Sequence, residues 1–290
     1  MDKKTETNER LTAIIYLALS AVMWSLGGLL IKSVNSNPLA IAGVRSAISA
    51  AIILITTGRP KFSWSVSQVG ASLAYTGMML LFVAATKNTT AANAILIQYT
   101  APVYVTFLGA WLLGEKVKPL DWVTIAVVMG GMVLFFIDDI GIGNMLGNIL
   151  AAGSGISFAL FTVLMRMQKD GSPIGSVILG NILTALIGVP FLFSKMPDAK
   201  SWLYLGVLGT LQLGIPYILY SKAIRHVTAL EASLIPIIEP ILNPVWVLIF
   251  LGEAPGHLAV IGGVIVIAAV MLRCVIPLKN YNASHMQFHS

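Results

Sequence analysis

The sequence predicts an all-α, polytopic membrane protein with ten transmembrane helices in two five-helix inverted repeats. Three observations carry this. The apolar set AVILMFWYC makes up 57% of the 290 residues, the charged set DEKR only 10%, and the mean hydropathy is +0.86. Ten apolar stretches fill almost the whole chain, each near the roughly 20 residues needed to cross about 30 Å of hydrocarbon. The second half also echoes the first at an offset of 138 residues. A packed soluble array of helices has too few charges here to cover its surface.

A polar segment, Met1–Arg10, opens the chain with Lys3, Lys4 and Arg10. The first span, Leu11–Ile31, has no small-residue cleavage pattern behind it and reads as a retained span rather than a signal peptide. It carries Trp24 followed by small residues, Ser-Leu-Gly-Gly28. The second, Leu39–Thr57, holds Arg45. The third, Val66–Thr86, sets Tyr75, Met78, Met79 and Phe82 on one helical stripe. The fourth, Ala91–Leu113, has a polar patch of Asn93, Gln98, Tyr99 and Thr100 ahead of Pro102. Proline removes one helical hydrogen bond and frees a carbonyl. Spans five and six, Leu120–Ile137 and Met145–Met167, contain Gly130-Gly131 and Gly153-Ser-Gly155, small residues that let helices approach closely. The seventh is Pro173–Phe193. The eighth, Trp202–Lys222, carries Gln212, Pro216, Tyr217 and Tyr220. The ninth, Ala229–Leu251, carries Glu231 and Glu239 among Pro236, Pro240 and Pro244. The tenth, Leu258–Ile276, contains Gly262-Gly263 and the single cysteine, Cys274, which excludes an intramolecular disulfide and a multi-cysteine metal site.

The repeat rests on Trp64 and Trp202, Lys87 and Arg225, Thr90-Ala91 and Thr228-Ala229, Pro102 and Pro240, and Gly114-Glu115 and Gly252-Glu253. Residues 1–140 form one unit and 141–290 the other, with a short C-terminal tail. Five spans is an odd number, so the halves enter the membrane in opposite directions, the arrangement that gives alternating access. With the N-terminus inside, thirteen Lys and Arg residues fall on the inner side: Lys3, Lys4, Arg10, Arg59, Lys61, Lys116, Lys118, Arg166, Lys169, Lys222, Arg225, Arg273 and Lys279. Four fall outside, Lys32, Lys87, Lys195 and Lys200, and the Asp138-Asp139 pair faces outward. This is a positive-inside bias, and it predicts a bacterial inner-membrane protein with both termini cytoplasmic. The formal charge of +6 is scattered over short loops and does not predict a nucleic-acid partner.

Chemistry in such a chain is sought among polar groups inside the spans. Glu239 is expected near mid-membrane, where a carboxylate must face a cavity, find a partner or carry a proton. Glu231 lies two turns earlier, and its first-half counterpart is Asn93. Arg45 either counters an anionic group or snorkels to the interface. Trp24, Tyr75, Tyr99, Gln98, Asn93, Tyr217 and Glu239 are the expected substrate-binding residues. Glu231, Glu239, Arg45, Glu115 and Glu253 are the expected gating and coupling residues. Gly114 and Gly252 suit left-handed helix closures, with the following glutamate turning back on the first amides of the next span or on nearby Lys116 or Lys118. No hydrolase, metalloprotease, P-loop or dinucleotide motif is present, and no cofactor or metal is expected.

Pro102-Val-Tyr-Val-Thr-Phe-Leu-Gly-Ala-Trp-Leu-Leu-Gly-Glu115 and Glu239-Pro-Ile-Leu-Asn-Pro-Val-Trp-Val-Leu-Ile-Phe-Leu-Gly-Glu253 resemble the signature of the drug/metabolite transporter superfamily, in its EamA branch. The ten spans, the duplicated halves, the Trp24 segment and Arg45 fit the same resemblance. It implies a carrier of small metabolites, and the closest functional likeness is to amino-acid exporters. The expected function is secondary-active efflux of amino acids or related small metabolites by alternating access, with proton coupling left open. The alternative is an importer of an amine, quaternary amine or vitamin-like solute. The expected partners are a small-molecule substrate and membrane lipids. One chain holds both halves, so a monomer suffices, and a dimer is left open.

Overall fold

The computed structural model describes residues 3–137, 144–242, 246 and 256–286. Asp138-Asp139, Pro244 and Gly252-Glu253 lie outside the described residues. Among those described, nine helices are long and apolar enough to cross a membrane, and they coincide with nine of the ten stretches. Met145–Met167 matches the sixth to the residue. In the remaining stretch, the ninth, Ala229–Leu234 is α-helical, Ile235–Ile237 is a 3-10 turn, and residues 238–242 are helical again.

Several ends differ from expectation. The first helix begins at Lys3, within the polar segment, and runs to Trp24; it resumes as Gly27–Ser33 after a break at Ser25-Leu26. The last helix continues to Met286. Side-chain caps set other starts: Asn37 Oδ1 accepts from Leu39 N, Ser65 Oγ from Gln68 N, and Asn144 Oδ1 from Leu146 N. The fourth span is interrupted at Tyr99-Thr100, between Ala91–Gln98 and Ala101–Leu108, where Pro102 cannot donate a backbone bond. The 3-10 turn of the ninth span ends at Ile237, 138 residues on from Tyr99. The two irregularities thus recur in the repeat register.

Packing carries the same register. The third span packs most extensively on the sixth, and the eighth packs on the first. The second crosses the seventh, and the fifth crosses the tenth. This pattern is unchanged when spans one to five are exchanged for six to ten. Ser154 Oγ donates to Met78 O at 3.1 Å, and Ser20 Oγ reaches Pro216 O at 3.1 Å. Met78 and Pro216 are again 138 apart. Both self-paired crossings are glycine contacts. A Cβ on Gly188 would stand 2.6 Å from Gly43 Cα, and one on Gly262 would stand 2.5 Å from Gly131 O. Gly131 makes this contact, whereas Gly130 faces open space.

Candidate functional site

Where the halves meet, a small central cavity is lined by Trp24, Arg45, Met78, Met79, Phe82, Gln98, Tyr99, Phe158, Gln212, Leu213, Tyr217 and Glu239. Six of the residues expected from the sequence converge there: Trp24, Arg45, Gln98, Tyr99, Tyr217 and Glu239. The free space is about 40 Å³, room for a water or two and too little for an amino acid.

The aromatic wall is continuous. Trp24 packs on Tyr217 and Tyr220 with centroids 5.0 and 5.7 Å away. Tyr75 stands behind Tyr217, edge-on at 4.9 Å, and its hydroxyl donates to Asn181 Oδ1 at 3.1 Å. It therefore supports the wall and does not line the space. Tyr220 shares a 3.0 Å hydroxyl bond with Thr162.

The break in span four places the Tyr99 hydroxyl 2.6 Å from Glu239 Oε2 and 3.0 Å from Pro236 O. A hydroxyl has one proton to give and can also accept. If it donates to the Pro236 carbonyl, its oxygen can accept from a protonated Glu239. If it donates to Glu239, the carbonyl is left with a polar contact only. The Tyr99 hydroxyl thus joins span four to span nine, spans of opposite halves. Gln98 Nε2 donates to Ser154 Oγ at 2.7 Å, tying span four to span six beside this pair.

Arg45 is 1% exposed, so it does not snorkel. Its Nη1 donates to Gln212 Oε1 at 3.1 Å, and its Nη2 lies 3.4 Å from Met79 Sδ. A π-helical stretch, Leu208–Gly214, carries Gln212. Such stretches recur at functional sites. Gly209 brings this stretch against span two, where a Cβ would sit 2.9 Å from Arg45 O. Gly27 leaves room for the Gln212 amide, since a Cβ there would stand 2.9 Å from its Nε2. Among the described residues, Arg45 Nε and Trp24 Nε1 have no acceptor. An unsatisfied buried donor costs about 1–3 kcal/mol, so two in one cavity are a notable expense.

The remaining expected residues lie at the ends of the bundle. At the end bearing the termini, Glu231 is shared by Arg10 and Arg273, and Arg273 Nε also pairs with Asp121 at 2.8 Å. Glu231 caps its own helix too, accepting from Thr228 N at 3.0 Å. Glu115 follows the left-handed Gly114 and accepts from Ala229 N at 3.2 Å, with Arg166 Nε at 3.5 Å. Its partners are therefore the first amide of span nine and an arginine of span six, rather than Lys116 or Lys118. Burial pushes the Glu115 carboxyl above its ordinary value, against the Ala229 amide and Arg166. At the opposite end, Asn93 Nδ2 lies 3.4 Å from Asn148 Oδ1, which also accepts from Thr89 Oγ1 at 2.9 Å. Asn93 is thus about a turn and a half from the cavity-lining Gln98 and does not line the cavity itself. Glu253 lies outside the described residues.

Sequence reasoning passed over Phe158, which sits in an ordinary-looking apolar run. It also passed over the service of Ser25 Oγ as acceptor for the Trp246 indole at 2.7 Å, at the break in span one. A larger recess, about 670 Å³, opens at the termini end between spans one and eight, with Glu9, Lys222, Arg225 and His226 on its walls. Neither orphaned donor lies on it.

Comparison with known proteins follows the same outline. The EamA-like transporter family matches twice, over residues 11–137 and 145–274. An uncharacterized transporter of Archaeoglobus fulgidus is 26% identical over 265 residues, covering 88% of this chain and 94% of its own. The threonine/homoserine exporter RhtA of Escherichia coli K12 is 28% identical over 199 residues, 65% of each chain. A solved crystal structure, 18% identical, superposes with a TM-score of 0.77 over 96% of this chain and 99% of that one, a likeness of fold.

Proposed function

The chain belongs to the EamA-like transporter family, a multi-pass membrane transporter built of two repeats, and from that premise we propose that it exports amino acids or related small metabolites across the bacterial inner membrane by alternating access. The central cavity carries this reading. Both halves contribute to it, it is closed to solute-sized molecules, and its lining joins an aromatic wall to uncharged amides and a carboxyl. An amino acid presents the complementary groups. The similarity to threonine/homoserine exporters over about two thirds of the chain supports the same class.

Glu239 and Tyr99 are the coupling pair in this proposal. A carboxyl that shares a proton across the interface of the halves can load and release it as the halves move apart. The termini lie in the cytoplasm, as the distribution of Lys and Arg supports. Purified protein in proteoliposomes should exchange labelled neutral amino acids in counterflow. An imposed pH gradient should drive their accumulation, and Glu239→Gln should abolish that accumulation while sparing exchange. Exchange of cationic amines alone would favour an importer of amines, for which Trp24, Tyr217 and Glu239 would form the cation-binding wall.

A further inference from the structure

The unsatisfied donors of the central cavity say more about the solute than its shape does. Arg45 is fully buried, and no carboxylate among the described residues stands within 4.0 Å of it. Its contacts are a neutral amide oxygen and a thioether, neither of which neutralises a guanidinium. Its Nε and the Trp24 indole nitrogen both lack an acceptor among the described residues, and both residues line the same space. The carboxyl in that space, Glu239, is engaged by Tyr99. What is missing is an anionic group with two acceptor oxygens. A carboxylate is that group: planar, singly charged and matched to the guanidinium fork.

We infer that Arg45, aided by the Trp24 indole N–H, is the receptor for the substrate's carboxylate, and that Gln212 holds the guanidinium in place until the substrate arrives. This rests on the proposed amino-acid reading and sharpens it. Arg45 becomes a binding residue instead of a gating one, and recognition extends to span two. The solute must carry a free carboxylate, which separates it from amines, esters and amides of the same skeleton. Gln212 is a positioning residue. Its side chain fits over Gly27, and its oxygen fixes one arm of the fork while Nε stays available.

The test uses the full chain in proteoliposomes, with a neutral amino acid, its methyl ester, its decarboxylated amine and the matching carboxylic acid without an amino group. Wild type should exchange the amino acid at least about tenfold faster than the ester or amine, because a site with unpaired donors rejects an analogue that leaves them unpaired. Gln212→Glu changes one atom of the side chain and sets a carboxylate 3.1 Å from Arg45. It should fold, melt no lower than wild type, and lose amino-acid exchange by a similar factor, because the receptor is filled from within. Arg45→Lys should restore part of the exchange that Arg45→Gln loses. Exchange of the simple carboxylic acid alone would sink the amino-acid reading and uphold Arg45. Equal exchange of amino acid, ester and amine, or exchange of amines alone, would overturn the Arg45 inference. So would undiminished exchange by a folded Gln212→Glu variant. Exchange of no probe by verified folded protein would overturn both.

Discussion

Glu231 and Asn93 occupy matching places in the two repeats, yet they close their ends of the bundle by different chemistry. Glu231 is 4% exposed at its side chain and stands between two guanidinium groups, Arg10 and Arg273. Asn93 meets the neutral Asn148. Removing one member of a buried ionic cluster strands the others, at a cost on the order of 3 kcal/mol. Removing a neutral amide costs about 1 kcal/mol. Glu231→Ala should therefore lower the melting temperature in detergent clearly more than Asn93→Ala does. Equal losses would show that the ion cluster contributes no more than the amides. The ionic end is also the salt-sensitive one, since Arg10 is 21% exposed and open to screening.

Helices here are shaped by where they cannot continue and by how near they can come. The break at Tyr99-Thr100 and the 3-10 turn Ile235–Ile237 meet at the cavity, and together they bring the Tyr99 hydroxyl to Glu239 and to the Pro236 carbonyl. Glycine sets the crossings. At Gly131 a Cβ would stand 2.8 Å from Val266 Cγ2 and 3.2 Å from Gly262 O, whereas at Gly130 it would meet nothing within 4 Å. Gly131→Ala should destabilise the protein by about 1–3 kcal/mol through overpacking. Gly130→Ala should leave stability unchanged or raise it by up to about 1 kcal/mol, the helix propensity of alanine over glycine. Thermal melts of the two variants settle this, and equal losses would mean that spans five and ten do not cross as described. The contrast also shows what a sequence can disclose. Apolar runs and prolines are local, so span positions and the Pro102 break were legible. Which glycine of a pair touches its neighbour is set by helix rotation against a distant span, and the same is true of Tyr75, expected to bind substrate and found behind Tyr217, outside the cavity lining. Gln212 was visible as a polar group in an apolar run. Its role depends on a π-helical stretch and on Gly27 and Gly209, which no periodicity announces.

At the scale of the whole molecule, the exchange symmetry of the packing is what would make the two conformations of the proposed alternating access nearly equal in energy. If spans one to five can adopt the packing of six to ten, and the reverse, a cavity closed at one end has a mirror state closed at the other. Among the described residues, the ion cluster of Arg10, Glu231, Arg273 and Asp121 at one end and the amide cluster at the other would then bias the balance unequally. Such a mechanism needs repeats of opposite orientation. Ser63 and Lys200 are both exposed and stand one and two residues before the matching Trp64 and Trp202, in the corresponding connections of the two halves. An inverted repeat puts them on opposite sides of the membrane, and a parallel repeat puts them on the same side. In a Cys274→Ser background, single-cysteine variants Ser63→Cys and Lys200→Cys should react differently with a membrane-impermeant thiol reagent on intact cells. Lys200→Cys should be labelled from outside, and Ser63→Cys only after the cells are opened. Labelling of both from one side would remove the structural basis for alternating access. Labelling of Ser63→Cys alone would keep the inverted repeat and turn the whole molecule over, placing the ionic end outside.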